Sequence, residues 1–477
     1  MNASANKMDT RGVSLQLTTN IYSMSTNNDQ RGGFTSSFGA VAAAVGSAVG
    51  LGNIWRFPYI AGEYGGGAFI MLYLIFVFGL GVPLIIGEFV IGRRSGRNAM
   101  GAFRVLSPKQ KGWLGIGILA VITCVIIYSF YSVVAGWTIE YTWLSCTNGL
   151  AGKEASEISE AFTSFIQHPY LPILFQGLLV MLTGAIVIGG VQKGIEKFTK
   201  IVMPVLFVIM LLLCVRSLTL SGNKEGMSFL FKPEFKNLTA TGVLAAMGQA
   251  IFSLSIGAGL LITYGSYMRK EDNLMTSSFC IASADTTIAL LAGIAIFPAV
   301  FTFGLSPASG PSLVFETLPN VFNSMPMGQL FAILFFVLLA LAAITTTISL
   351  LEVIVLWVVE ELHLKRTSAT IVISLIIFAI GALCSLSLGV LKDYTIMGYT
   401  FFDACDKLTA TYLMPLGALA VTVYLGWFYK KEDVLDEVSN HGTLKTWYIK
   451  LFYFVLRYIA PAVLTIILIT GSLGIGA

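Results

Sequence analysis

The chain of 477 residues is 56% hydrophobic and only 11% charged, and its net charge is +4. Soluble proteins carry about 25% charged residues, so most of this chain is expected to face membrane lipid or other apolar helices. The small net charge, carried by loops, argues against a nucleic-acid partner.

Residues 1–30 are polar and rich in Ser, Thr and Asn, without an apolar core of signal-peptide length. We expect them to form a disordered cytoplasmic tail. The apolar segments that follow are long enough to span about 30 Å of hydrocarbon. They lie at roughly 35–60, 67–91, 113–144, 171–190, 195–215, 240–267, 275–303, 329–359, 368–389, 396–428 and 447–474. The predicted fold class is therefore an all-α integral membrane protein with eleven transmembrane helices.

Basic residues are distributed unevenly between the predicted loops, and this sets the orientation of the chain. The loop after the second helix holds six Lys and Arg residues between positions 93 and 111, whereas residues 145–170 hold only Lys153 against three glutamates. One loop, at 216–236, is a counterexample because it also carries four basic residues. The majority places the N-terminus in the cytoplasm and the C-terminus outside.

Two of the predicted helices are interrupted by similar glycine-containing segments, Ala48 to Gly52 and Ser255 to Gly259. Glycines loosen a helix, and unwound backbone at membrane depth must be buried in protein or line a polar cavity. Corresponding breaks in two halves point to the substrate and ion site of a secondary transporter. Alternatively, the glycines of these two segments only allow neighbouring helices to pack closely together.

Five helices with one break, followed by five with a matching break, predict a 5+5 inverted repeat with an extra terminal helix. The halves are residues 31–215 and 216–428, after the tail at 1–30 and before a cytoplasmic linker and last helix at 429–477.

Four motifs resemble the neurotransmitter:sodium symporter family, which has the leucine-transporter fold. They are Gly46 to Tyr59 (GSAVGLGNIWRFPY), Gly65 to Phe69, Gly248 to Ser255 and Ala342 to Thr347. The resemblance covers about residues 31–474 and implies sodium-coupled import of an amino acid by alternating access, with unwound helices 1 and 6. Eleven rather than twelve helices is similar to bacterial members, which implies a bacterial inner (cell) membrane.

The resemblance implies that the substrate carboxylate binds the unwound backbone near Gly50 and Gly52 together with Tyr131. Gly50 stands where monoamine carriers of the family have an aspartate, so an amino acid is expected and not a bare amine. The predicted substrate-binding residues are Ser47, Ala48, Gly50, Leu51, Gly52, Ile127, Tyr131, Phe252, Ser253, Ser255, Ala258, Phe315, Thr346 and Leu350.

Ala258 stands where the leucine carrier of the family has a phenylalanine. An aromatic side chain buries roughly 150–250 Å², so its absence leaves room for about one ring. An aromatic substrate is therefore favoured, and the chain resembles bacterial aromatic amino-acid carriers of the tyrosine type. If another side chain refills that space, aliphatic hydrophobic amino acids become the expected substrates.

Two sodium sites are implied by the same resemblance, so one or two Na⁺ ions are expected. The first contains Ala48, Asn53 and Ser253, with Asp285 where the family normally has an asparagine. The second contains Gly46, Val49, Ala342, Thr345 and Thr346. Without the resemblance, the threonines would be read as donating to carbonyls of their own helix.

Asp285 is an ionisable residue in the middle of a membrane helix, which makes it a functional candidate by default. Chloride-dependent relatives hold their anion one turn further on, where this chain has Ala289. We therefore predict that Asp285 replaces chloride and that transport is chloride-independent. Alternatively, Asp285 is paired with another side chain and has only a structural role.

The gates follow the same resemblance. Arg56 and Asp406 match an outer ion pair, for which Asp403 competes, and Arg31 and Glu360 match an inner latch. Glu88 and Gln249 are predicted to support the unwound segments, and Tyr267 to join the inner latch.

Other classes of function are less well supported. A channel would need a continuous polar path, whereas the intramembrane polar groups cluster near the two breaks. An enzyme would need a nucleophile–base or metal set. The six cysteines and three histidines are scattered without CxxC spacing, so neither a metal site nor a redox motif is predicted. The oligomeric state is left open.

Overall fold

A computed structural model describes residues 33–308, 313–444 and 447–473. The predicted tail at 1–30 and the predicted inner-latch residue Arg31 lie outside the described residues.

Helices dominate the architecture, and the described part of the chain contains no β-strand, only an isolated bridge between Ile396 and Tyr399. In chain order we label them α1 Ser37–Ala48, α2 Gly52–Glu63, α3 Gly67–Ser95, α4 Ala99–Leu106, α5 Lys111–Cys146, α6 Ala155–Gln167, α7 Leu171–Ile188, α8 Val191–Leu218, α9 Asn223–Phe231, α10 Ala240–Ser253, α11 Leu260–Gly265, α12 Leu274–Thr302, α13 Thr317–Asn323, α14 Gly328–Glu361, α15 Arg366–Leu386, α16 Phe401–Phe428, α17 Lys431–Val438 and α18 Trp447–Ser472.

Nine of these helices in the described residues are long and apolar enough to cross a membrane. They are α3, α5, α7, α8, α12, α14, α15, α16 and α18. The pair α1 and α2 forms a tenth candidate span, bent by 47° at the first predicted break. At the second predicted break the helix is divided into α10, with 14 residues, and α11, with 6.

The backbone leaves the helical conformation where the glycines lie. After α1, Val49 is extended with φ −74° and ψ 102°, and α2 begins as a π-helix at Gly52. After α10, Ser255 and Gly257 have φ of 55° and 85°. Gly257 cannot be replaced by a larger residue, because a Cβ there would lie 2.0 Å from the Met414 carbonyl oxygen. Both breaks therefore coincide with glycines, and at Gly257 the close approach of Met414 requires one.

The two breaks are enclosed by long helices that hold them in place. α5 packs along α14 and also against α7 and α15, while α3 packs against α11 and α12 packs against α8. α1 contacts α8, α12 and α14. The unwound segments thus lie inside the bundle and away from lipid, as buried backbone at membrane depth requires.

Candidate functional site

The two breaks meet at a small cavity of about 30 Å³. Its wall contains every predicted substrate-binding residue except Leu51 and Phe315, and it adds Leu260 and Met414, which the sequence did not indicate. The wall residues are Ser47, Ala48, Gly50, Gly52, Ile127, Tyr131, Phe252, Ser253, Ser255, Ala258, Leu260, Thr346, Leu350 and Met414.

Tyr131 of α5 is held against the first break. Its hydroxyl oxygen accepts a hydrogen bond of 2.8 Å from the backbone N–H of Leu51, so Leu51 takes part through its backbone. A Cβ at Gly50 would lie 2.2 Å from Thr346 Oγ1 and 2.7 Å from the Tyr131 hydroxyl. The glycine therefore lets two hydroxyls and the Leu51 backbone N–H meet at one end of the cavity.

Phe315 does not line this cavity. It is fully buried in an aromatic cluster, where its ring lies 5.6 Å from that of Trp137, 5.2 Å from that of Tyr141 and 5.6 Å from that of Phe162. The prediction that Phe315 forms the pocket wall is therefore wrong in this structure. Its place could not be read from sequence, because it follows a long loop whose path no motif fixes.

Ala258 stands at the apolar end of the cavity, as predicted. Its carbonyl accepts a hydrogen bond of 3.1 Å from the thiol of Cys124 in α5. Met414 of α16 lines the same cavity. Methionine is flexible and fills irregular space, so this end of the cavity can adapt its volume to what it contains.

Asp285 of α12 is fully buried and receives hydrogen bonds from three neutral side chains. Its carboxylate accepts from Asn53 Nδ2 at 2.7 Å, from the Ser253 hydroxyl at 2.8 Å and from the Tyr73 hydroxyl at 3.1 Å. No Lys or Arg among the described residues forms an ion pair with it. A buried carboxylate without a cationic partner is costly unless a cation binds beside it.

Tyr73 is a residue of this site that the sequence did not indicate. Its position four residues after Phe69, in the helix that begins with the Gly65 to Phe69 motif, could have indicated that both face inwards. Asn53 was predicted, and the amide oxygen that it would offer to sodium here accepts from the Gly50 N–H at 3.1 Å.

A second cluster joins α1 to α14. Thr345 Oγ1 lies 2.8 Å from the Ala342 carbonyl oxygen and 3.4 Å from that of Val49. Thr346 Oγ1 lies 3.5 Å from the Ser47 carbonyl oxygen. Gly46 faces the same helix, because a Cβ there would lie 3.6 Å from that of Thr345.

The threonines of this second cluster fit both interpretations given above, donation to carbonyls of their own helix and binding of a cation. Thr345 donates to its own helix, but a hydroxyl that donates its hydrogen keeps its lone pairs for a cation. The described residues contain no group of three or more His, Cys, Asp or Glu that could hold a metal. Carbonyl and hydroxyl oxygens are thus the ligands that this second cluster offers, whereas the first also offers the Asp285 carboxylate.

The predicted outer pair of Arg56 and Asp406 is not a direct ion pair in this structure. The Arg56 guanidinium lies 4.2 Å above the Phe252 ring, and no ion pair with Asp406 is present among the described residues. Both residues line a larger cavity of about 470 Å³ with Asp403 and Lys407, which we call the charged cavity. Arg56 instead stacks on an aromatic face, which itself attracts a cation.

Phe252 separates the two cavities, since it lines the small one and carries Arg56 on its ring. The supports of the breaks are where they were predicted. Glu88 accepts from the Gly257 N–H at 2.7 Å, and Gln249 donates to the Gly52 carbonyl at 2.9 Å.

At the opposite end of the bundle, Glu360 accepts hydrogen bonds from the backbone and side chain of Asn98, at 3.0 and 2.8 Å. Tyr267 donates to Glu352 at 2.6 Å, and Arg366 forms a two-pronged ion pair with the same fully buried carboxylate. No motif in the sequence indicated Glu352 and Arg366, which lie in α14 and at the start of α15.

A model of the sodium:neurotransmitter symporter family matches residues 31–167 and 172–475. The chain belongs to this family. A solved relative of this symporter, the transporter MhsT in complex with L-phenylalanine, is 42% identical, covers 92% of this chain and all of its own chain, and superposes with a TM-score of 0.87.

The symporter is also similar to proteins from bacteria and archaea. An uncharacterized sodium-dependent transporter, YhdH of Bacillus subtilis, is 40% identical over 91% of this chain and 96% of its own length. A sodium-dependent transporter of Haemophilus influenzae is 36% identical over 94% of this chain and its own full length. One from Methanocaldococcus jannaschii is 30% identical over 92% of this chain and 89% of its own length.

These comparisons confirm the predicted family. The protein is a sodium-dependent, multi-pass membrane transporter and not an enzyme. The all-helical fold of the family is confirmed as well.

Proposed function

We propose that the protein is a chloride-independent sodium symporter that imports an aromatic amino acid, with tyrosine preferred, by alternating access. The observation that carries the proposal is the cavity between the two breaks, with unwound backbone and hydroxyls at one end and Ala258 at the other. One or two Na⁺ ions are co-transported.

The polar end suits an α-amino acid. The N–H groups after Gly50 stand at the positive end of α2, which attracts a carboxylate. The Tyr131 hydroxyl, which accepts from Leu51, has its hydrogen left to donate to that carboxylate. Position 50 is a glycine and offers no carboxylate to the substrate amine, so this amine is held by backbone carbonyls near Ala48 and Phe252.

The apolar end suits a ring once the wall relaxes. A cavity of about 30 Å³ holds little more than water, so a substrate must displace wall side chains. The side chain of Met414 can move aside at low energetic cost, because methionine has three rotatable bonds. If Met414 keeps its place, aliphatic hydrophobic amino acids fit best, and this is the second candidate substrate class. L-Phenylalanine bound to MhsT supports the aromatic class.

The charges support chloride independence. Asp285 supplies a fixed negative charge beside Asn53 and Ser253, where the first sodium ion is proposed to bind. Ala289, one turn further along α12, is fully buried and offers no hydroxyl for an anion. A mobile chloride would place a second negative charge in a site that already has one.

We propose eleven spans as a 5+5 repeat and one further helix, with α10 and α11 together forming the second broken span. Arg93, at the end of α3, donates to the Glu437 carbonyl at 2.8 Å and to the carbonyl of Asp272. These contacts bring three segments rich in Lys and Arg together on one face, which favours a cytoplasmic N-terminus in a bacterial inner membrane.

Uptake by proteoliposomes tests the proposal. Labelled tyrosine is expected to accumulate with an inward sodium gradient, equally in chloride and gluconate, and to be displaced by phenylalanine and tryptophan better than by leucine. Tyrosine binding that does not depend on sodium would refute the symport. Stronger displacement by leucine would favour the aliphatic class instead.

A further inference from the structure

An arginine lies at the surface of the last helix, where α18 packs against α16. Arg457 is half-buried, and its guanidinium carbon lies 4.7 Å from the centre of the Trp427 ring and 5.5 Å from that of the Tyr458 ring. Both rings are about half exposed, at 55% and 49%. The cation therefore contacts two aromatic faces at a surface that a lipid can reach.

Direct contacts between the two helices fix this arrangement. The Trp427 indole N–H donates to the Arg457 carbonyl oxygen at 3.1 Å. A Cβ at Gly426 would lie 3.0 Å from the Arg457 Cα atom, so the glycine allows the two helices to approach closely. One turn earlier in α18, the Tyr453 hydroxyl donates to the Gly426 carbonyl oxygen at 3.2 Å. The guanidinium and its two rings are thus held at a defined place, which we call the α16–α18 junction.

The positive charge at this junction is not balanced by an acidic side chain. No Asp or Glu in the part of the chain that the structure describes forms an ion pair with Arg457. Its Nε atom is buried without a hydrogen-bond partner, whereas Arg93 of α3 pairs with Glu437 of α17. Aromatic rings attract a cation but carry no charge that would neutralise it. An arginine in a membrane helix without a counter-charge is a candidate for function.

The junction lies where α16 leaves the membrane. α16 ends at Phe428, one residue after Trp427, and the exposed residues Lys430 and Lys431 follow. Lys431 Nζ lies 5.3 Å from the centre of the Tyr453 ring, so a second cation is close to the junction. Trp and Tyr are enriched where helices leave the hydrocarbon, and basic residues there contact anionic headgroups. On the orientation given under the proposed function, on which this step alone rests, the junction faces the cytoplasmic leaflet.

We propose that Arg457 and its two rings bind the phosphate of an acidic glycerophospholipid at the α16–α18 junction. A planar guanidinium matches two oxygens of a phosphate, and stacking on the rings holds the plane of the guanidinium in place. Lys431 adds a second positive charge, which favours a headgroup with net negative charge over a zwitterionic one. The acyl chains pack against the apolar surface of α18, where Phe454 is 51% exposed.

Native mass spectrometry of the full-length protein with added lipid tests the site. The wild type is expected to retain phosphatidylglycerol at concentrations at which phosphatidylcholine is not retained. Arg457→Gln removes the charge but keeps a long polar side chain, and its dissociation constant for phosphatidylglycerol is expected to rise at least tenfold, about 1.4 kcal/mol. Lys197→Gln is the matched control, because it removes one exposed positive charge from the first turns of α8, and it is expected to bind like wild type.

Thermal unfolding separates a lipid site from a purely structural stacking contact. A ligand that binds only the folded protein stabilises it, so phosphatidylglycerol is expected to raise the melting temperature of wild type and Lys197→Gln but not of Arg457→Gln. Arg457→Lys keeps the charge that folding has to accommodate but loses the planar fork, and its affinity for phosphatidylglycerol is expected to fall severalfold.

Three outcomes would overturn the inference. They are phosphatidylglycerol binding by both Arg457 variants at wild-type affinity, equal affinity of the wild type for phosphatidylcholine, and an equal loss of binding in Lys197→Gln, which would indicate only a general attraction of charge. None of these measurements uses transport. A protein that binds the lipid as expected but takes up no tyrosine would refute only the proposed substrate.

Discussion

Replacing Asp285 by asparagine removes the negative charge proposed to balance sodium while it preserves shape. The substitution keeps one oxygen for the hydrogen bonds that Asn53, Ser253 and Tyr73 now donate to the carboxylate. The two hydroxyls can rotate to accept from the new amide. The variant is therefore expected to fold, and its defect is expected to lie in sodium binding.

The size of the defect follows from complete burial. Asp285 has no exposed surface, so solvent screens its charge little. Removing one partner of a buried charge pair costs about 3–5 kcal/mol. At about 1.4 kcal/mol per tenfold change, the sodium dissociation constant is expected to rise by roughly two to three and a half orders of magnitude.

Sodium titration of labelled-tyrosine binding measures this change in purified wild type and Asp285→Asn. Ala289→Ser alone is the control, because it adds a hydroxyl and keeps the charge, and it is expected to bind sodium normally in gluconate. The double variant is expected to recover part of its transport only when chloride is present. The reasoning fails if wild-type transport needs chloride, or if Asp285→Asn binds sodium normally in gluconate.

Three further predictions concern the small cavity and the second cluster. Replacing both Thr345 and Thr346 by valine is expected to weaken sodium binding by about 1.5–3 kcal/mol per lost contact; an unchanged sodium dependence of uptake would exclude them as ligands. Ala258→Phe is expected to cost aromatic substrates about 1–3 kcal/mol through overpacking while it spares small aliphatic ones; undiminished tyrosine affinity in competition binding would contradict this. Tyr131→Phe leaves the Leu51 N–H without its acceptor, so tyrosine affinity or thermal stability is expected to fall by about 1–3 kcal/mol; equilibrium binding and thermal unfolding measure each, and no change in either would count against the contact.

A threonine next in sequence provides a control for these measurements. Thr347 is buried, but its hydroxyl lies 2.9 Å from that of Thr183 in α7 and does not take part in the cluster of Thr345 and Thr346. Thr347→Val is therefore expected to leave the sodium dependence of tyrosine uptake unchanged. A sodium defect in this variant equal to that of the double variant would show that loss of packing, and not loss of ligands, explains both.

The predicted helix positions agree with the structure to within a few residues for most spans. The segment predicted at 113–144 is α5, Lys111–Cys146, and the one at 329–359 is α14, Gly328–Glu361. Hydrophobic length is a local property, so it can be read directly from the chain. The predicted helix at 240–267 is the exception, since its second part is only the short α11.

The structure brings together most of the residues predicted for the site, from within the four motifs and from outside them. Gly50, Tyr131 and Ala258 meet in one cavity, and Asn53 and Ser253 meet Asp285. The prediction that Phe315 lines the cavity was wrong because no motif fixes the path of the loop before it. The prediction of an outer ion pair was wrong for another reason. The sequence identified Arg56 and Asp406, but it could not show that the guanidinium lies on the Phe252 ring.

The sequence by itself determined the membrane-spanning helices, the two breaks and the family, because these depend on hydrophobic length, glycine and contiguous motifs. Only the tertiary structure placed Tyr73 against Asp285 and Met414 in the cavity wall. Each of these contacts joins helices that are far apart in the chain. The relative positions of these helices are set by the packing of the whole bundle, which no local pattern of residues encodes.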